Sequence, residues 1–86
     1  MNRIERIKKI LEKNFEPTYL ILKDNSVKHI GHNNFDGNKM THLYLEISSN
    51  FFKNKKLIDV HKAINSLIKK EYESGLHALE IKIIQH

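Results

Sequence analysis

The sequence predicts an α+β domain built from a helix, two strands, a second helix and a third strand. Three observations carry that expectation. Apolar residues recur at helical spacing in two places, as Ile4, Ile7, Ile10 and Leu11 and as Leu57, Val60, Ile64, Leu67 and Ile68. Between them, residues 41–49 alternate instead, with Leu43, Leu45 and Ile47 on one parity and His42, Tyr44, Glu46 and Ser48 on the other. The chain has 86 residues, 40% hydrophobic and 29% charged, which suffices for one modest core, so 1–86 reads as a single globular domain.

Each element has its own signals. Asn2 is placed to cap the first helix, with Glu5 at capping-box spacing, and the stripe runs to about Lys13 before Pro17 forbids continuation. Residues 18–23 are short, aromatic and aliphatic, the profile of a buried strand. Residues 24–40 are rich in turn formers and form a long loop that carries His29 and His32. The alternating strand follows. Residues 50–56 make a polar, basic connector in which Phe51 or Phe52 anchors to the core, and Asn54 is a candidate cap for a helix over about 55–73. Gly75 stops that helix, because a residue without Cβ takes the left-handed turn that closes it. His77 then opens the last strand, residues 77–84, sharing parity with Leu79, Ile81 and Ile83.

Composition excludes several classes. No apolar run approaches the length of a membrane span, and the first six residues lack the apolar region of a signal peptide. Cysteine is absent, which rules out disulfides and leaves imidazole and carboxylate, or a partner's groups, to hold any metal. The expected location is cytoplasmic. A net charge of +5 comes almost wholly from lysine, with arginine at only positions 3 and 6, and it points mildly toward anionic partners. No cysteine nucleophile, phosphate-binding glycine loop or nucleophile elbow occurs, so the chain is not read as an enzyme.

Topology brings the histidines together. Two strands joined by a loop form an antiparallel pair, and a strand that follows a helical crossover favours a parallel partner. The second and third strands would then begin at the same end of the sheet. His42, His77 and the loop histidines would meet there. An isolated histidine at a strand mouth is more often structural than a ligand, and residue pattern alone leaves both readings of His77 open. His42 reads as a surface or supporting residue, His61 as packing or hydrogen bonding, and His86 as inert.

Asp24-Asn25-Ser26-Val27-Lys28-His29, Thr41-His42, Ser49-Asn50-Phe51-Phe52, Lys56-Leu57, His61-Lys62 and Gly75-Leu76-His77-Ala78-Leu79 resemble, in register over nearly the whole chain, the BolA-like family. The resemblance implies an αββααβ fold similar to a class II KH domain: a three-stranded mixed sheet with helices packed on one face, and a short helical turn before the long helix. It also implies a monothiol glutaredoxin partner and a [2Fe-2S] cluster shared with that partner and glutathione, in iron–sulfur cluster handling or iron-dependent regulation. The ligands it implies are His77 and, from the loop, His29 with His32 as the alternative. No cofactor is expected in the isolated chain, which would be a monomer or weak homodimer. The alternative reading is a KH-like nucleic-acid-binding transcriptional regulator, using Lys53, Lys55, Lys56 and Lys62. Against it, no GXXG loop occurs, Asn54 stands where a glycine is common, and Val60 and Lys62 flank His61 in place of arginines.

Overall fold

The computed structural model describes residues 1–26 and 40–85. Helix α1 spans Arg3–Phe15, two residues beyond the expected stop. Asn2 caps it as its sequence position requires, its side-chain oxygen accepting from the Glu5 N–H at 2.9 Å. Glu16 closes the helix in the left-handed region (φ 44), its N–H bonding the Glu12 carbonyl, and Pro17 follows. The added turn brings Phe15 edge-on to Phe52, with ring centroids 5.1 Å apart.

Strand β1 is Tyr19–Asp24 and β2 is His42–Ser48, paired antiparallel with Leu22 opposite Leu45. A 3₁₀ turn over Asn50–Phe52, helix α2 (Leu57–Leu67) and helix α3 (Lys69–Glu73) form the crossover to β3 (Ala78–Ile83), which pairs parallel to β2. The sheet order β1-β2-β3 is therefore mixed, as expected. Leu43, Leu45 and Ile47 on the inner face of β2 join Ile7 and Leu11 of α1, Val60 and Ile64 of α2, Phe52, Ile68 and Leu76 in one buried core. Of the two connector phenylalanines, Phe52 is the anchor and Phe51 stays exposed.

Four local expectations are corrected. The helix over 55–73 is two helices, because Ile68 leaves helical geometry (φ −105, ψ 21). An i→i+3 bond from the Glu71 N–H to the Ile68 carbonyl tightens the chain there, keeping Ile68 in the core while aiming Glu71 at α1. Leu57 and Leu67 are not part of the buried stripe; they are 52% and 38% exposed, and the core accepts only the narrower line Val60, Ile64, Ile68. Asn54 is not the cap. Lys56 occupies that position without a side-chain cap bond, and Asn54 takes a left-handed turn (φ 64), a conformation that asparagine tolerates better than most residues without glycine's freedom. Finally, β3 starts at Ala78, one residue after His77.

Candidate metal-ligand site

The last correction defines the site. The N–H groups of His77 and Ala78 both donate to the Thr41 carbonyl, at 2.8 and 3.2 Å. Successive N–H groups of an extended strand point to opposite sides, so two of them on one carbonyl mean that the backbone bends at His77. The alternation of β3 therefore does not reach back to this residue. Parity would have placed its ring with Leu79 on the core side; instead His77 is exposed and its ring packs edge-to-face against His42, centroids 5.5 Å apart at 84°.

His42 stands on the face of β2 turned away from the helices, opposite Ala78. Its Nδ1 is 3.0 Å from the Thr41 hydroxyl, with donor and acceptor roles set by the imidazole tautomer. Beneath it, Ser26 is 3% exposed, and its Oγ accepts from the Thr41 N–H at 2.8 Å and the His42 N–H at 3.1 Å. The Ser26 N–H in turn donates to Asp24 Oδ1 at 2.8 Å, an Asx turn that leads the chain out of β1. Thr41, His42 and Ser26 are thus bound together where residues 27–39 leave and return.

A second cluster supports this end of the sheet. Glu71, 8% exposed at its side chain, receives Arg3 Nε at 2.9 Å and Arg6 Nε and Nη2 at 2.8 and 2.9 Å. The Arg6 hydrogen bond, opposed by desolvation and helped by Arg3, holds the Glu71 carboxyl below the usual carboxylate range; the same bond raises Arg6. Arg3 also donates to the Met40 carbonyl at 2.9 Å and to the carbonyl and Oγ of Ser74 at 2.9 and 3.2 Å. A cleft of about 310 Å³ lies along this junction, lined by Asn2, Arg3, Arg6, Met40, Thr41, Ser74 and Gly75. Sequence reading passed over Arg3, Arg6 and Glu71. The available signal was an acid continuing the buried stripe Val60, Ile64, Ile68, together with the chain's two arginines one helical turn apart.

Of the anticipated ligands, the structure places His77 and brings His42 to it; His29 and His32 lie outside the described residues, as does His86. His61 is half-buried on α2. Among the described residues no group of three or more histidine or acidic side chains could hold a metal ion. Another cleft, about 390 Å³, is at the opposite end of the sheet, between the start of β1, the ends of β2 and β3, and Lys53. Lys53, Lys55, Lys56 and Lys62 are all exposed, the first three between the end of β2 and the start of α2, away from the histidines. No helix among the described residues is long and apolar enough to cross a membrane.

A mixed sheet covered by helices on one face, with paired imidazoles at the end where β2 and β3 begin, defines a class of small α+β domain. The family follows by comparison. The sequence model for "BolA-like protein" matches residues 11–85, and the chain belongs to the BolA-like family. It is 35% identical over 82 residues to Protein BOLA1, chloroplastic, of Arabidopsis thaliana, covering 93% of this chain and 51% of that protein. It is 40% identical over 80 residues to SufE-like protein 1, chloroplastic/mitochondrial, of the same plant, covering 88% of this chain and 22% of that protein. The chain thus spans about half the length of the first and about a fifth of the second. Among solved structures, the BolA domain of SufE1 from Arabidopsis thaliana matches with a TM-score of 0.84 at 38% identity, over 96% of this chain and 91% of that one.

Proposed function

We propose that this protein binds a monothiol glutaredoxin and shares a [2Fe-2S] cluster with it through histidine ligands, in iron–sulfur cluster handling or iron-dependent regulation. The observation that carries this reading is the exposed imidazole of His77, held beside His42 at the sheet end where Ser26 and Thr41, which flank the histidine-bearing stretch of sequence, are hydrogen-bonded to each other. The donor set fits such a group: the chain has imidazoles and no thiolate, so the partner's cysteine and glutathione complete the coordination. His77 is the first ligand, and His29, with His32 as the alternative, is the second.

The role of this chain is to bind and present. His77 offers its ring to a group carried on another surface, which its exposure permits and a buried histidine could not do. Imidazole ligation gives a cluster of this type a higher reduction potential than all-thiolate ligation. It also ties assembly to deprotonated histidine, so sharing weakens in acid. The isolated chain carries no cluster and is a monomer or weak homodimer, and it has no catalytic role.

The test is visible absorption and circular dichroism of the protein mixed with a monothiol glutaredoxin, iron, sulfide and glutathione. A spectrum distinct from that of the glutaredoxin homodimer is expected. His77→Ala should lose it while keeping a native far-ultraviolet spectrum, and His29→Ala beside His32→Ala ranks the loop ligands. A mixed-cluster spectrum that survives His77→Ala unchanged would defeat the assignment. No complex, together with DNA binding that falls steeply with salt, would favour the nucleic-acid reading.

A further inference from the structure

Arg3 lies in the first turn of α1, yet among the described residues each hydrogen-bond acceptor of its guanidinium is far away in the chain: Glu71 Oε1, the Met40 carbonyl, and the carbonyl and Oγ of Ser74. Met40 precedes His42 by two residues and Ser74 precedes His77 by three. One planar, rigid fork therefore holds the two backbone segments that carry the paired histidines.

One of these segments is held in a conformation that needs such support: Met40 has φ 66, in the left-handed region that disfavours any residue with a side chain, whereas Gly75, next to Ser74, takes φ 123 with a glycine's freedom. Strain of this kind persists only where neighbouring bonds over-determine it. At Met40 those bonds are Arg3 to its carbonyl and Ser26 to the following N–H.

The ion pair with Glu71 does not by itself require Arg3, because Arg6 already engages both carboxylate oxygens. What Arg3 alone does, among the described residues, is join the Met40 and Ser74 carbonyls. We infer that Arg3 is a positioning residue for the ligand site: it sets the separation and mutual angle of His42 and His77, and through them the aim of the His77 imidazole toward the partner-borne group. The ligand half of this inference rests on the reading of His77 given above; the geometric half stands on the isolated chain.

The test compares Arg3→Lys with Arg6→Lys. A lysine keeps the charge beside Glu71, but an ammonium on a flexible stem does not hold two carbonyls and a carboxylate in one plane. Nuclear Overhauser contacts between the His42 and His77 ring protons, measured in the isolated chain, report the pairing directly. The expected result is a cooperatively folded Arg3→Lys protein in which that contact is lost and the mixed-cluster circular dichroism with glutaredoxin falls at least severalfold. Arg6→Lys should retain both. An intact inter-ring contact in folded Arg3→Lys would overturn the proposal, as would an unchanged cluster spectrum despite loss of the contact. If Arg3→Lys does not fold, Arg3→Gln, whose planar amide reaches one carbonyl at a time, is judged by the same two readouts. Loss of the contact in a system where the wild type forms no shared cluster would refute the ligand reading and leave Arg3 as the element that pairs the histidines.

Discussion

Glu46 organises the sheet face turned away from the helices. Tyr19 and Tyr44 donate their hydroxyls to its two carboxylate oxygens at 3.1 and 2.6 Å. The bond to Glu46, and then desolvation, push the Tyr44 hydroxyl up to about 12, while the two phenols hold the Glu46 carboxyl below its usual range. Because the folded value of Tyr44 lies above the unfolded value near 10, its contribution to stability is complete below about pH 10 and is lost as pH rises through the folded value. An ultraviolet absorbance titration should show Tyr44 ionising near 12, and Glu46→Gln should bring it back toward the ordinary tyrosine range. A titration curve indifferent to that substitution would refute the coupling. At this scale the sequence assigned Tyr44 and Glu46 correctly to the outer face, because alternation is a property of neighbours. That Tyr19 and Tyr44 share one carboxylate depends on β1–β2 register, which alternation does not specify.

Gly75 shows how an element boundary becomes a functional constraint. Its φ of 123 is one that L-residues rarely adopt, whereas a Cβ built there meets, among the described residues, nothing nearer than Arg3 Nη2 at 3.5 Å, an ordinary contact. The cost of Gly75→Ala is therefore backbone strain and not crowding, on the order of 1–3 kcal/mol. Denaturant unfolding should show a lower midpoint at unchanged slope, with the ring contact between His42 and His77 weakened because the strain relaxes through the segment bearing His77. A midpoint equal to wild type would show that the turn is not required. The helix stop at Gly75 was legible, since glycine after an amphipathic stretch has a local cause. The break at Ile68 was not, because Ile68 continues the apolar period perfectly well. Its departure is tied to Glu71 reaching α1, a contact between residues more than sixty positions apart.

For the whole molecule, the Arg3–Glu71–Arg6 cluster joins the first helix to the end of the crossover, close to the histidines. Glu71 has its folded value lowered, so its stabilising contribution is present above the unfolded glutamate value of about 4.3 and disappears as pH falls through the folded one. Glu71→Gln should be less stable than wild type at neutral pH, and the two should converge in acid as the carboxylate protonates. Equal stability of the two proteins at neutral pH would remove the cluster from the account of the fold. The same architecture separates two surfaces: histidines where β2 and β3 begin, and Lys53, Lys55, Lys56 and the larger cleft where they end.

The sequence by itself determined the α+β class, the order of elements, the mixed sheet and the meeting of His42 with His77 at one end, because each follows from periodicity, turn chemistry and the handedness of connections. It also carried the family resemblance that a match over residues 11–85 bears out. Only the tertiary structure decided that His77 bends out of β3 to face His42, that Asn54 turns where a cap was expected, and that Arg3 binds both histidine-bearing segments. These depend on where a carbonyl or a guanidinium lies in space after distant segments have packed, and no local pattern of residues encodes that position.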